Sequence, residues 1–171
     1  IRDSIKIYVI SKMKQRSLKQ IFAEEDSLPA TYNTELASYL KKYDGYRGYK
    51  FFGVIMRDTV KFVKNCNKCF YIVNYDKRTQ SGSHWVAVMK NGTNVYHMGS
   101  YGISPLKEIQ DRYPKSKIYY NDRAIQQSDS NICGHLALNF IESIIEGNST
   151  FNEWLQEALR YSNRYRINVL N

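Results

Sequence analysis

Cys133 closes the run Gln126-Gln127-Ser128-Asp129-Ser130-Asn131-Ile132-Cys133 and is followed by Gly134-His135 and an apolar stretch with helical spacing. A thiol at a helix N-terminus meets unpaired N–H groups and the positive end of the helix dipole, and both favour the nucleophilic thiolate. Gly134 puts no side chain beside the sulfur, which leaves room for a substrate backbone to approach. A thiol nucleophile also needs a proton acceptor, and His84, which opens the apolar run His84-Trp85-Val86-Ala87-Val88-Met89, is the candidate. Gln127, on the preceding loop, can aim an amide N–H at a developing oxyanion beside the Cys133 backbone N–H. Singly, each has an ordinary explanation: a packed cysteine, a structural histidine, a solvated glutamine. Together they keep a consistent order, with His-Trp opening a strand, Gln ahead of Cys-Gly, and Cys-Gly opening an apolar helix.

The elements that must hold these residues are legible in outline. Ala137, Phe140, Ile141, Ile144 and Ile145 form one face of a helix that starts at Cys133 and stops at Gly147. Phe151, Trp154, Leu155 and Leu159 mark a last helix. Phe70 to Tyr75 is a buried-type strand, Asp76 to Ser83 a polar loop, and Lys117 to Tyr120 a further strand. Asn91-Gly92 between two apolar runs is a hairpin signal. With these two residues as the loop, Lys90 faces Thr93 and His84 faces Gly99. Ser104 and Pro105 are expected to open a short helix to Tyr113, and Thr34 to cap one reaching Tyr43. Asp44-Gly45 ends the latter. Apolar and basic positions alternate over residues 1–22, with one cluster at Ile5, Ile7, Val9 and Ile10 and a short helix around Leu18, Ile21 and Phe22. The fold class is α+β, an antiparallel central sheet with helices packed against it. Residues 1–45 read as an N-terminal helical appendage and 46–171 as the main domain.

The ordered motifs resemble the adenovirus-protease-like cysteine proteases, within the larger group that includes SUMO-specific proteases, and in particular those of virophages and of Maverick/Polinton-type and adintovirus-like elements. The resemblance rests on Phe52-Gly53-Val54-Ile55-Met56-Arg57-Asp58, on Gly82-Ser83-His84-Trp85-Val86-Ala87, on Ser100-Tyr101-Gly102, and on Gln127 with Cys133-Gly134. It spans about residues 49 to 145. It implies a papain-like, adenain-like fold with the nucleophile at the N-terminus of a buried helix. It also implies Cys133 as nucleophile, His84 as general base and later acid, Gln127 as the oxyanion-hole side chain with Gln126 one place away, and Trp85 as the aromatic flanking the catalytic histidine. The activity implied is a viral thiol endopeptidase acting on capsid or other virion precursor proteins, in the virion and the infected cell. The alternatives are a weakened protease fold kept as a DNA-binding virion component, and a deubiquitinating or deSUMOylating isopeptidase.

One position departs from the family pattern. The third catalytic member there is Asp, Glu or Asn just before an aromatic-Gly pair, whereas this chain reads Met98-Gly99-Ser100-Tyr101-Gly102. Gly99 has no side chain to fix the histidine tautomer or stabilise an imidazolium. Another acceptor can substitute, with Asn74 and Asn94 as stand-ins. The chain can be an impaired variant, or the hairpin register can differ. His97 shares a strand face with His84, but as a partner for an imidazolium it would have to stay neutral.

Composition bounds the rest. The chain has 171 residues, 25 Lys+Arg against 16 Asp+Glu, a net charge of +9 and 43% hydrophobic residues. That is a globular balance in one domain, with no apolar run of membrane-spanning length and no disorder-like composition. The chain starts with Ile rather than Met, as a processed or trimmed product would. Its positive charge suits polyanions, so DNA is a candidate activator or partner, through basic positions 112, 115, 117 and 123. The family's adenovirus enzyme is activated by a disulfide-linked peptide and by DNA, but no match to the peptide-carrying cysteine is found here. The three cysteines make an odd number, which argues against a disulfide framework and for a reducing compartment. Cys66-Asn67-Lys68-Cys69 is a lone CxxC, two ligands short of a zinc site. A monomer, with no metal and no membrane, is expected.

Overall fold

The computed structural model describes residues 13–76 and 84–170, with side chains through 162. The apolar cluster at Ile5 to Ile10 and most of the 76–83 loop lie outside the described residues. Five strands form one sheet in the order β1 (Lys50–Met56), β2 (Lys68–Asn74), β3 (Trp85–Asn91), β4 (Asn94–Gly99) and β5 (Lys117–Tyr120). The helices are α1 (Leu18–Ala23), α2 (Asn33–Leu40), α3 (Lys107–Arg112), α4 (Cys133–Ile145) and α5 (Phe151–Leu170).

The sheet is mixed rather than antiparallel throughout. β2, β3 and β4 pair antiparallel, but β1 joins β2 and β5 joins β4 in parallel. Parallel neighbours need a crossover of a dozen or so residues. The 3₁₀ segment Arg57–Phe62 and its flanks supply one, and the stretch carrying α3 supplies the other.

Side chains alternate across the sheet, and both faces are covered. Phe70, Ile72, Trp85, Ala87 and Met89 enter a core shared with α4, α1 and α2. Tyr71, Val73, Val86 and Val88 enter a second core under Val60, Ile109 of α3 and the flanking Leu106 and Tyr113. This double burial is why residues 85–89 read as an unbroken apolar run. Phe140 of α4 meets Phe151 and Trp154 of α5 edge-on at 5.7 and 5.1 Å. Such pairs add roughly 0.5–1.5 kcal/mol each beyond their buried area.

Helix α4 begins at Cys133 and gives way at Gly147, whose φ of +75° takes the left-handed conformation that ends it. Two other starts differ from the sequence expectation. Helix α2 is capped at Tyr32 instead of Thr34 and tightens into a 3₁₀ turn over Lys41–Tyr43, and α3 begins after an extended Leu106 instead of at Pro105. The segment expected to be an appendage, where described, contributes Leu18, Ile21, Phe22, Leu36, Leu40 and Tyr43 to the α4 core.

The hairpin register also differs. Asn91 pairs with Asn94 and Val86 with Gly99, so the turn residues are Gly92 and Thr93. Only Gly92, the first of them, has positive φ (+63°). That is the type II′ pattern with Gly leading, whereas an Asn91-Gly92 loop would have placed both residues at positive φ. The shift is two residues, so every side chain keeps its face. His84 now lies across from position 101, beyond the end of β4.

Candidate active site

Cys133 is the first residue of α4, where the backbone N–H groups of Trp85, Gly134 and Cys133 itself favour its thiolate. Cys133 shares a buried core cluster with Trp85, which starts β3 next to His84. Cys133 is only 6% exposed, and burial pushes its thiol pKa up despite the three donors. The dipole therefore does not leave a standing thiolate, contrary to the sequence expectation. Desolvation of the charge outweighs it.

His84 extends the β2–β3 ladder through its carbonyl, which accepts from Tyr75 N at 2.8 Å. Its ring lies 4.3 Å from the Tyr101 ring and 5.6 Å from that of Tyr75. Burial lowers its pKa to about 4, so near pH 7 it is a neutral base. Nδ1 of His84 has no hydrogen-bond partner. The Tyr101 ring packs on His84, and burial raises its phenol pKa.

The two glutamines separate by what their amides do. Gln126 is buried. Its Oε1 accepts from Ser100 Oγ, and its Nε2 donates to Ser130 O at 2.6 Å and Tyr101 OH at 3.4 Å. Gln127 is half-buried, and its backbone N–H donates to Glu25 Oε2 at 3.0 Å.

Gly99 is pinned by Asn121, whose Oδ1 accepts from Gly99 N at 3.2 Å and whose Nδ2 donates to Gly99 O at 2.6 Å. Of the proposed stand-ins, Asn94 ends at the hairpin turn, five residues from Gly99. Asn74 pairs with Trp85, on the sheet face away from Gly99, and its Oδ1 already accepts from Asp76 N at 2.8 Å. Next in the loop, Gly102 has φ +68°, and a Cβ there would fall 2.4 Å from the Arg123 carbonyl carbon. The 100–102 turn thus lies directly on the 123–126 strand of loop that leads to Cys133.

Sequence reasoning missed the residues that come from the N-terminal segment. Glu25 is buried and accepts the Gln127 backbone N–H. Thr31 O accepts from Trp85 Nε1 at 3.4 Å, and Pro29 O lies 3.2 Å from His135 Nε2. Gly134 faces Thr31, and an added Cβ would lie 1.9 Å from Thr31 Oγ1. The space beside Gly134 is thus filled by the protein's own segment instead of being open to a substrate. Two residues a hundred positions apart give no local signal of such contacts.

Cys66 and Cys69 are joined to each other by a disulfide, leaving Cys133 as the free cysteine. The odd count therefore did not prevent a pairing. Arg112, one of the basic positions, spends its guanidinium on Val63 O and Asn65 Oδ1. Among the described residues, no helix is long and apolar enough to cross a membrane and no cluster of three His, Cys, Asp or Glu side chains could hold a metal ion.

The buried histidines make stability pH-dependent. His84 and His97 are both lowered to about 4 from an ordinary 6.5, and His135 is lowered too, each chiefly because burial disfavours the cation. Between these values the unfolded chain binds protons that the folded chain refuses. Stability is therefore full above about pH 6.5 and falls as pH drops towards 4, by on the order of 3 kcal/mol for each of His84 and His97. Thermal melts should show Tm falling steadily between pH 7 and 4.5, with a shallower slope in His97→Gln. A Tm flat over this range would contradict buried neutral histidines.

No protein-family model matches the chain. It is 33% identical over 89 aligned residues to the Acanthamoeba polyphaga mimivirus protein named "Putative thiol protease R355", covering 44% of this chain and 30% of the relative. The chain thus spans under a third of that curated relative's length. Among solved structures, it superposes on the pS273R protease of ASFV with a TM-score of 0.54 at 17% identity, covering 95% of this chain and 78% of that one. This shows the fold to be that of the ASFV protease. A structure of the SUMO protease Ulp1 aligns over 94% of this chain and 92% of its own, with a TM-score of 0.47 and 11% identity.

Proposed function

We propose that the chain is a viral thiol endopeptidase that cleaves virion precursor proteins. Cys133 is the nucleophile, His84 the general base and then acid, and Gln127 with the Cys133 backbone N–H the oxyanion hole. The observation that carries this is Cys133 at the head of a buried helix, in the same core cluster as Trp85, the residue after His84. The mimivirus relative supports thiol-protease chemistry, and the ASFV protease fold supports a viral protease scaffold. His84 takes the thiol proton as sulfur attacks the scissile carbonyl, and the negative oxygen is met by the N–H donors. His84 then gives that proton to the leaving amine, and water releases the acyl group from sulfur in a second step.

The glutamines provide a test of these roles. Gln127→Ala should lower kcat about 10²–10³-fold with Tm unchanged, as loss of an oxyanion donor does. Gln126→Ala should instead lower Tm, because its amide joins Ser100 to Ser130. The opposite pattern would move the oxyanion role to Gln126. The substrate class is tested by offering virion precursor proteins and ubiquitin-like fusions to the same chain. Internal cleavage of the precursors supports the endopeptidase, while cleavage of the fusions alone would replace it with an isopeptidase.

A further inference from the structure

We propose that His97 takes the place of the absent third catalytic group and positions His84, an inference that rests on the cysteine-protease function above. The β3–β4 register puts Val86 opposite Gly99 and Val88 opposite His97. By strand alternation, residues 84, 86, 88, 97 and 99 share one face of the sheet. The His97 ring lies beside the place a Gly99 side chain would start, with Cε1 3.5 Å and Nδ1 4.0 Å from an ideal Gly99 Cβ. His97 is 1% exposed, and neither of its ring nitrogens has a partner. Nδ1 of His84 is likewise buried and unpartnered.

Buried polar atoms without partners cost stability, and an apolar side chain of similar shape would avoid that cost. Three such nitrogens, on two rings of one sheet face where Gly99 contributes no side chain, call for a functional reason. The electrostatics agree, because burial, and after it a charge on His84, keeps His97 neutral. A neutral imidazole has one bare nitrogen, which can accept an N–H. When the Cys133 proton moves to His84, the second N–H of the new imidazolium is donated to that nitrogen of His97. No bond is broken beyond S–H, and no further proton is displaced. In the resting chain these nitrogens are not hydrogen-bonded, and catalytic hydrogen bonds often close only in the reacting complex.

The test uses the full chain with His84→Ala, His97→Phe, Gly99→Asp and His97→Phe/Gly99→Asp variants. Two rates are read at pH 7: alkylation of Cys133 by iodoacetamide, located by mass spectrometry, and cleavage of a fluorogenic peptide library. His97→Phe should keep or raise Tm while lowering the Cys133 alkylation rate about tenfold or more. Adding Gly99→Asp should restore the rate, because a carboxylate then fills the third place, and a packing role for His97 would not be rescued this way. His97→Phe reacting as fast as the parent would overturn the proposal, as would a folded double variant as slow as His97→Phe. Alkylation that depends on His84 and His97 without any peptide cleavage would keep the positioning role and remove the protease function. Alkylation indifferent to His84 would remove both.

Discussion

A Cys133→Ala chain is expected to lose peptide cleavage by about 10⁴-fold or more while keeping its fold. Removing the nucleophile of a catalytic set costs as much as removing the set, since the remaining members have nothing to activate. The loss of stability should be small. The substitution removes one sulfur from a residue that leads a helix held by Phe140, Ile141 and Ile145 in the main core. Its backbone place in the helix is unchanged. Tm within a few degrees of the parent, with cleavage gone, is the expected pair of results. Cleavage retained would mean that the chemistry lies elsewhere.

Gly134→Ala should have the largest effect on the scaffold. Its Cβ would meet Thr31 Oγ1 at 1.9 Å, Thr31 Cβ at 3.0 Å and Thr31 Cγ2 at 3.2 Å. Thr31 cannot simply rotate clear, because its Cβ is among the crowded atoms and its carbonyl is tied to Trp85 Nε1. Either the 29–31 segment lifts from the helix or the first turn of α4 moves. Overpacking of this kind costs about 1–3 kcal/mol or more, which corresponds to a Tm drop of about 2–12 °C in a chain of this size. A shift of Cys133 by about 1 Å would by itself cost about 10² in rate. Combining Thr31→Gly with Gly134→Ala removes the crowded atoms and should return most of the lost Tm. Gly134→Ala with parental Tm and rate would show that Thr31 does not pack on the helix start.

The parts of the fold carried by local patterns were legible in the sequence. The apolar periodicity after Cys133 placed the α4 start, and the run from Trp85 to Met89 marked a strand, whose cover on both faces only the structure shows. The hairpin was recognised but set two residues out of register, because Asn-Gly suggests a turn with both residues at positive φ and the chain uses Gly92 alone. The even shift preserved the sheet face on which His84, His97 and Gly99 lie, so the relation among them survived the error. The parallel edge pairings β1–β2 and β4–β5 were not legible, since parallel partners are joined by crossovers instead of turns. Nor were the roles of Glu25, Thr31 and Asn121. Each acts through contacts with residues distant in sequence, and none belongs to a pattern of its own. The resting state of the thiol was misjudged for a related reason. The helix dipole is visible in a sequence, whereas the burial that outweighs it depends on the whole fold.

The measurement that bears most directly on the proposed chemistry is cleavage of a fluorogenic peptide library by the parent chain beside Cys133→Ala and His84→Ala, each checked for folding by its Tm. Cleavage by the parent that disappears in both variants, with their Tm preserved, is the result expected of a Cys133–His84 protease. Cleavage that persists in folded Cys133→Ala, or no cleavage of any peptide by the parent, would contradict it.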